Sequence, residues 1–177
     1  MNIPGIGPVT KDDDLDWYYS EQIAVPVLGR CACRFVVAAY GGDLKKEDFH
    51  IAIRNFLAAD ESVLREAEPY IYQYYESCKQ YFDSEDNGCA DIKTTHDVWK
   101  HVRLGNEPVV KRRAYGDKCI YISLECKCDW ENQHGLQLVF KNGLKVNKVG
   151  AYNGHVTNSD AYDDDSLEDL IFNRPNT

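Results

Sequence analysis

The chain has 177 residues, with 20 basic and 29 acidic side chains, a formal net charge of −9 and 44% hydrophobic residues. A chain of this length buries roughly 70% of the surface that its unfolded form exposes, so it forms a core without metal or disulfide support, and we expect one globular domain over residues 1–177. Its longest uncharged run, residues 149–159, is rich in Gly and Asn and far shorter than the ~20 apolar residues of a membrane-spanning helix.

The amino-terminal residues carry no recognisable export signal. Residues 1–5 lack a positively charged segment followed by an apolar stretch, so we expect a cytoplasmic protein. Seven cysteines, an odd number, then favour reduced thiols over a disulfide framework.

Two strands are predicted in the first forty residues. Residues 17–28 and 31–40 are rich in aromatic and β-branched side chains, and Gly29-Arg30 between them is typical of a hairpin tip. Pro26 has no N–H to donate to a neighbouring strand, so we expect its stretch at a sheet edge or a bulge. The pattern predicts an antiparallel N-terminal hairpin.

Three helices are predicted in the middle of the chain. Residues 49–57 repeat apolar side chains with helical spacing. A second helix is expected to begin near Asp60 and to continue toward residue 82, with a kink or break at Pro69. A third, short helix is predicted over residues 94–105, where Thr94 and Asp97 resemble a capping box.

After Pro108, apolar and polar side chains alternate again, which predicts four strands. Asn142-Gly143 is a strong hairpin signal between the last two. The predicted strands are residues 109–115, 119–128, 136–141 and 144–149. Strands, then helices, then strands predict an α+β fold with an N-terminal β-hairpin, three central helices and a C-terminal four-stranded antiparallel meander, in one antiparallel sheet of mixed strand order.

Two Cys-x-Cys pairs, Cys31/Cys33 and Cys126/Cys128, have the ligand types of a zinc site. On strands, each pair projects from one face, because side chains alternate with a period of two. The same faces carry aliphatic and aromatic side chains. We therefore predict buried thiols that pack as small hydrophobes, and a metal site or a disulfide is the alternative.

The densest polar cluster beside a predicted strand is residues 129–135. Its Trp130 is a candidate binding residue, as are Glu131, His134 and His155, and the alternative is a polar hairpin loop from which Trp130 points inward. Glu131 and His134, joined in space by His155 or by His50, are candidates for an acid/base pair or a metal site, because imidazole titrates near neutrality and a carboxylate fixes its tautomer. The spacing matches no catalytic motif, so we assign no catalytic residue and no metal ligand.

Charge is distributed unevenly along the chain. Residues 100–118 are basic and residues 160–170 are acidic. We expect the cations to line a solvent face and to offset the acidic tail. The overall negative charge argues against nucleic acid as a partner. An acidic tail attracts a basic protein partner, although a solvated terminus has the same composition.

Twelve tyrosines are the most unusual feature of the composition. Those of the predicted second helix cannot all point into the core, and tyrosine is enriched at protein interfaces. Tyr72 and Tyr75 are therefore candidate contact residues of a binding surface or of a homodimer face.

Two segments resemble a known family. Residues 129–140 read Asp-Trp-Glu-x-x-His-Gly-Leu-Gln-Leu-Val-Phe, and residues 149–155 read Val-Gly-Ala-Tyr-Asn-Gly-His. Together with residues 3–7, they resemble a bacterial family of uncharacterised single-domain proteins that is classified only as a domain of unknown function. The resemblance implies no activity and no cofactor. The acidic α+β build is also similar to that of immunity proteins of bacterial toxin systems, by analogy alone.

The absence of catalytic signatures favours a non-enzymatic protein without a cofactor. Our leading hypothesis is a cytoplasmic protein-interaction module, such as an immunity-like inhibitor whose acidic, tyrosine-rich surface covers a basic protein partner. The alternative is a metal-binding protein or metal-dependent hydrolase that uses Glu131, His134 and His155. A homodimer is a third hypothesis, and neither nucleic acid nor a membrane is expected as a partner.

Overall fold

A computed structural model describes residues 1–80 and 91–174. The fold is α+β, and the described strands form one mixed sheet of nine strands. In chain order the strands are β1 Asn2–Ile3, β2 Gly7–Lys11, β3 Trp17–Val25, β4 Cys31–Ala38, β5 Val102–Arg103, β6 Val109–Arg112, β7 Ile120–Cys128, β8 Glu131–Lys141 and β9 Lys145–Gly150. The α-helices are α1 Lys46–Ala58, α2 Ser62–Lys79 and α3 Asn158–Tyr162, and short 3-10 helices cover Pro26–Leu28, Thr95–Lys100 and Asp165–Leu167.

The sheet has the order β1-β2-β3-β4-β6-β7-β8-β9, and β5 pairs with the C-terminal end of β7. Both predicted hairpin systems are confirmed, the N-terminal pair β3–β4 and the meander β6–β9. Asn142 and Gly143 both have positive φ, 52° and 68°, as a tight hairpin turn requires. A Cβ on Gly143 would lie 2.1 Å from the Ala52 carbonyl oxygen, so the glycine also allows α1 to pack closely on this turn.

One strand pair departs from the predicted antiparallel sheet. β4 and β6 run parallel, with Val36 opposite Val109 and Val37 opposite Val110. Parallel neighbours need a long crossover, and here the crossover contains α1, α2 and β5. Alternation of apolar and polar residues in the sequence indicates a strand and its apolar face. It does not indicate whether that strand runs parallel or antiparallel to its neighbour.

Helices α1 and α2 pack against one face of the sheet, and between them and the sheet lies the main core. Phe56 of α1 is fully buried, with its ring centroid 5.2 Å from that of Phe140 in β8. The predicted third helix is a 3-10 helix. The Thr94 hydroxyl donates to the Asp97 carboxylate at 2.7 Å and makes no hydrogen bond to the backbone as a cap, and the segment buries only Val98.

Pro69 lies inside α2 and does not end it. The residue is exposed, so its missing N–H falls on the side of the helix where water can satisfy the freed carbonyl group. The predicted continuation of this helix toward residue 82 lies outside the described residues. No helix in the described ranges is long and apolar enough to cross a lipid bilayer.

Three of the four paired cysteines are buried as predicted. Burial raises the pKa of Cys33 to about 11 and those of Cys126 and Cys128 to about 12, so these thiols are protonated at neutral pH. Cys31 is exposed, and the prediction was wrong for this thiol. It is the first residue of β4, beside the hairpin tip, where its side chain reaches solvent.

We call the sheet face opposite α1 and α2 the outer face. It carries Tyr121, Ser123, Gln137, Val139 and Lys148, all of them buried. The segment of residues 151–170 covers this face, because Val156 packs on Tyr121 and Val139. The outer face is therefore partly polar and yet shielded from water.

Candidate functional site

A cleft of about 790 Å³ opens where the covering segment meets the end of β6. One wall comes from β6 and the turn that follows it. The other wall comes from residues 154–168, which include α3. Two chain regions that are remote in sequence, one basic and one acidic, thus meet across this cleft.

Arg113 joins the two walls. Its side chain is only 4% exposed, and its Nε and Nη2 atoms each donate to the Asp160 carboxylate at 2.8 Å. Nη2 also donates to Glu168 at 2.8 Å and to the Ser159 hydroxyl at 2.9 Å, and Nη1 donates to Glu168. A planar guanidinium is suited to such a double carboxylate contact. The acidic segment is therefore held against the sheet at a defined position.

The charges of this network stabilise one another. Hydrogen bonds from Arg113 hold the pKa values of Asp160 and Glu168 below their usual range, and the same two carboxylates raise the pKa of Arg113. The expectation that the basic stretch offsets the acidic tail is confirmed for Arg113, but this cation is buried and does not line a solvent face.

The rim of the cleft has a different character. Asp163 and Asp165 line it and are exposed, and neither has an ion-pair partner among residues 1–80 and 91–174. Tyr115, also on the rim, is 75% exposed, and Tyr162, which precedes Asp163, is 46% exposed. The rim thus presents two carboxylates without an ion-pair partner in the described ranges and two exposed phenol rings, of which that of Tyr115 has Lys118 Nζ 5.8 Å from its centroid.

One lysine lines the inner end of the cleft, and a second is buried behind it. Lys111 lines it, and its Nζ donates to the Gly154 carbonyl at 2.6 Å. Lys148, 2% exposed, donates to Gln137 Oε1 at 2.6 Å, Asn153 Oδ1 at 2.8 Å and the His155 carbonyl at 3.4 Å. Burial, followed by repulsion from Lys111, lowers the pKa of Lys148 to about 8. Burial also lowers the pKa of Lys111.

The predicted polar cluster does not form as one group. Glu131 and His134 are neighbours, with His134 Nδ1 3.3 Å from Glu131 Oε2. The Glu131 carboxylate also accepts hydrogen bonds from the backbone N–H groups of Gln133 and His134, at 2.7 and 2.8 Å. Its hydrogen bonds are thus made within its own segment of the chain. His134 is 61% exposed in its side chain.

His155 lies elsewhere, in the cleft with Lys111 and Asp160. Within the described residues, no group of three or more His, Cys, Asp or Glu side chains is arranged to hold a metal ion. Glu131, His134 and His155 therefore do not form the metal site of the alternative hypothesis.

The three predicted aromatic residues lie largely inside the protein. The Trp130 ring packs edge-on against Tyr74 and Tyr75, with centroid distances of 6.2 and 5.8 Å. Trp130 Nε1 is, within the described ranges, the one buried side-chain polar atom without a hydrogen-bond partner. Tyr75 is 1% exposed, and Tyr72 is half-buried beside it. Of these three residues, Tyr72 alone keeps surface for a contact.

Sequence reasoning missed Arg113 and Lys148. For Lys148 the sequence gives no signal of burial, since Lys145 of the same strand is exposed while Lys148 is buried. For Arg113 the sequence shows only a basic run, and its partners lie about fifty residues away in the chain.

The comparison with known families is decisive for classification. The model of the domain of unknown function DUF6985 matches residues 5–156. The chain belongs to this family. The predicted resemblance to a family of unknown function is thereby confirmed, while its bacterial origin stays a prediction. No curated protein and no solved structure matches the chain. The DUF6985 match includes Lys111, Arg113, Lys148 and His155, and it ends before the acidic wall of the cleft.

Proposed function

We propose that the protein is a non-enzymatic, cytoplasmic interaction module that binds a basic protein partner at the rim of the cleft, in the manner of an immunity-like inhibitor. The observation that carries this proposal is the pair of rim carboxylates, Asp163 and Asp165. They are exposed near the residues that Arg113 anchors, and the part of the chain that the structure describes offers them no ion-pair partner. Charges held in place in this way attract an oppositely charged surface and fix its orientation.

The exposed tyrosines support the same surface. The hypothesis from sequence placed the tyrosine-rich contact on α2, but Tyr74 and Tyr75 of that helix are buried. Exposed Tyr162 instead directly precedes Asp163, and exposed Tyr115, with Lys118 near its ring, lines the same cleft as the two rim carboxylates. A phenol ring offers both an apolar contact and an attractive face for Lys or Arg. Acidic and aromatic groups thus meet at one place on the surface, which suits a partner rich in cations.

The experiment compares two double variants of equal charge. Asp163→Asn with Asp165→Asn removes both rim carboxylates. Glu61→Gln with Glu66→Gln removes two exposed carboxylates in the region of α2, on the other side of the sheet. A partner that purifies in stoichiometric amount from the native host is isolated, and its affinity for each variant is measured at several salt concentrations.

We expect the rim variant to bind on the order of tenfold more weakly, chiefly through slower association, and to lose salt dependence, while the α2 variant binds as the wild type does. Recovery of no stoichiometric partner, or equal binding by both variants, contradicts the proposal. Light scattering tests the predicted homodimer. A dimer that the rim variant dissociates would mean that a second copy, and not a basic partner, occupies this surface.

A further inference from the structure

Around the inner part of the cleft, on the outer face of the sheet, four cations face three carboxylates. The cations are Lys111, Arg113, Lys141 and Lys148, and the carboxylates are those of Asp117, Asp160 and Glu168. Asp117 is occupied by Lys141, and Asp160 and Glu168 are occupied by Arg113. The lysine pair therefore keeps uncompensated positive charge.

A buried cation without a counter-ion is unfavourable, because desolvation is not offset by an opposite charge. Lys148 places its three N–H donors on neutral oxygens. Lys111 uses one N–H on the Gly154 carbonyl and has two donors without a partner among the described residues. Since Lys111 also lines the cleft, it can contact an anion there. Lys148 does not line the cleft, but its positive charge also attracts that anion.

The cleft therefore has two ends of opposite charge. Half-buried Lys111 lies at the inner end, and the exposed Asp163 and Asp165 lie at the rim. The rim carboxylates repel a simple anion. A simple cation would leave the lysines uncompensated. A ligand with one carboxylate and one cationic group pairs with both ends, if its carboxylate enters the cleft toward Lys111 and its cation stays at the rim carboxylates.

Resting on the proposed function, we propose that the cleft binds the carboxyl-terminal residue of the basic partner, with its terminal carboxylate at Lys111 and its cationic side chain against Asp163 and Asp165. A cleft of about 790 Å³ has room for one such residue and part of the next, since binding pockets for small ligands have volumes of roughly 300–1,000 Å³. Lys148 acts as a positioning residue that holds Asn153 and His155 in place and strengthens the field at Lys111.

The test uses acetyl-Gly-Gly-Arg as the free acid and as the carboxamide, which differ only in the terminal negative charge. Both are titrated into the full chain by calorimetry or NMR. We expect the wild-type protein to bind the acid about tenfold more tightly than the amide, the factor that corresponds to one modest charge-assisted contact. Lys111→Met should bring this ratio close to one.

Lys127→Met is the matched control, because Lys127 is an exposed lysine of β7 on the same sheet. It should keep the preference for the acid. The double variant Asp163→Asn with Asp165→Asn should weaken the acid and the amide alike. Circular dichroism of each variant checks that the fold is retained, and a Lys111→Arg variant, which keeps the charge, should restore part of the preference.

With the two peptides, three outcomes overturn the inference: equal binding of acid and amide by the wild type, no binding of either peptide, and an acid preference that survives Lys111→Met. Free arginine that binds as tightly as the peptide acid would overturn the assignment to a polypeptide terminus and indicate a small zwitterion. Each of these results leaves partner binding at the rim carboxylates untouched, so the failure of this inference is distinct from failure of the proposed function.

Discussion

The sheet is covered on both faces, but the two faces are buried by different chemistry. The face under α1 and α2 is filled by apolar side chains such as Phe56, Leu138 and Phe140, each fully buried. The outer face carries Gln137 and Lys148, which are equally buried and held by hydrogen bonds. The first face is stabilised chiefly by burial of apolar surface, and the second depends on its buried polar groups having hydrogen-bond partners. The candidate site lies on the second face, where burial and charge coexist.

The largest expected effect tests the apolar face. Leu138→Ala removes a fully buried side chain and should lower the free energy of unfolding by about 2–5 kcal/mol, through lost burial and the remaining cavity. Leu144→Ala is the matched control, because Leu144 is 57% exposed, and it should stay within about 0.5 kcal/mol. Urea unfolding followed by tryptophan fluorescence measures both. A similar loss in the two variants would mean that the helices do not bury this face.

The next effect tests the outer face. Arg113→Met keeps much of the side-chain volume but removes the partner of Asp160 and Glu168, and it should cost about 3 kcal/mol, as expected when a buried pair loses one member. Glu168 is 38% exposed, so water partly replaces the lost contact, and the loss lies at the low end of the roughly 3–5 kcal/mol found for buried pairs. Arg34→Met is the control, since the Arg34–Glu107 pair is 49% exposed on both sides, and surface pairs contribute about 0–1 kcal/mol. Equal losses would show that the acidic segment is not anchored by Arg113.

The acid response of the outer face gives a smaller effect. Burial by itself would raise the pKa of Asp117, but hydrogen bonds from Lys141, the Cys119 amide and Tyr121 lower it to about 2. The folded pKa is thus below the unfolded value near 3.9, so this stabilisation is complete above about pH 4 and is lost as the pH falls toward 2. It amounts to about 2 kcal/mol.

Thermal unfolding between pH 6 and pH 2 measures this response, and Asp117→Asn should flatten part of the acid slope. Asp160 and Glu168 titrate with the same sign, so they account for the slope that remains. Asp13→Asn, in an exposed loop, serves as the control. If Asp117→Asn leaves the pH dependence of thermal stability unchanged, then Asp117 does not contribute to the acid response.

The smallest effect concerns the cysteines of the apolar face and changes reactivity without changing stability. Cys31 is exposed, whereas Cys33, Cys126 and Cys128 are buried and have raised pKa values. With a sulfhydryl reagent at pH 7.5, Cys31 should be labelled rapidly and the other three only in denaturant. Peptide mapping identifies each labelled thiol. Rapid labelling of Cys126 in the folded protein would contradict the packed core.

Local signals predicted most of the fold. The alternating period of β7 and β8 and the turn residues Asn142 and Gly143 act over a few neighbours, so the meander was predictable from sequence. The apolar stripe of α1 is equally local. The parallel pairing of β4 with β6 depends on the path of the chain through α1 and α2, which no short window contains.

The site was predictable only in part, for the same reason. Glu131 and His134 are three residues apart in the chain, and the structure keeps them together. His155 was assigned to the wrong neighbours, because its contacts with the cleft depend on how residues 151–170 fold back over the sheet. The pairing of Arg113 with Asp160 also requires that residues 151–170 fold back over the sheet. The sequence shows the charge of both stretches, but not that they are in contact.

The parallel register of Val36 with Val109 also dictates an order of assembly. A nascent chain can close the β3–β4 hairpin early, but β4 then keeps one open edge until residue 109 has left the ribosome. High contact order of this kind slows folding, because the entropy of closing a long loop is lost before the strand pair forms. An unpaired edge attracts other strands in the meantime. Synthesis of the helical crossover thus sets how long the growing chain is open to mispairing.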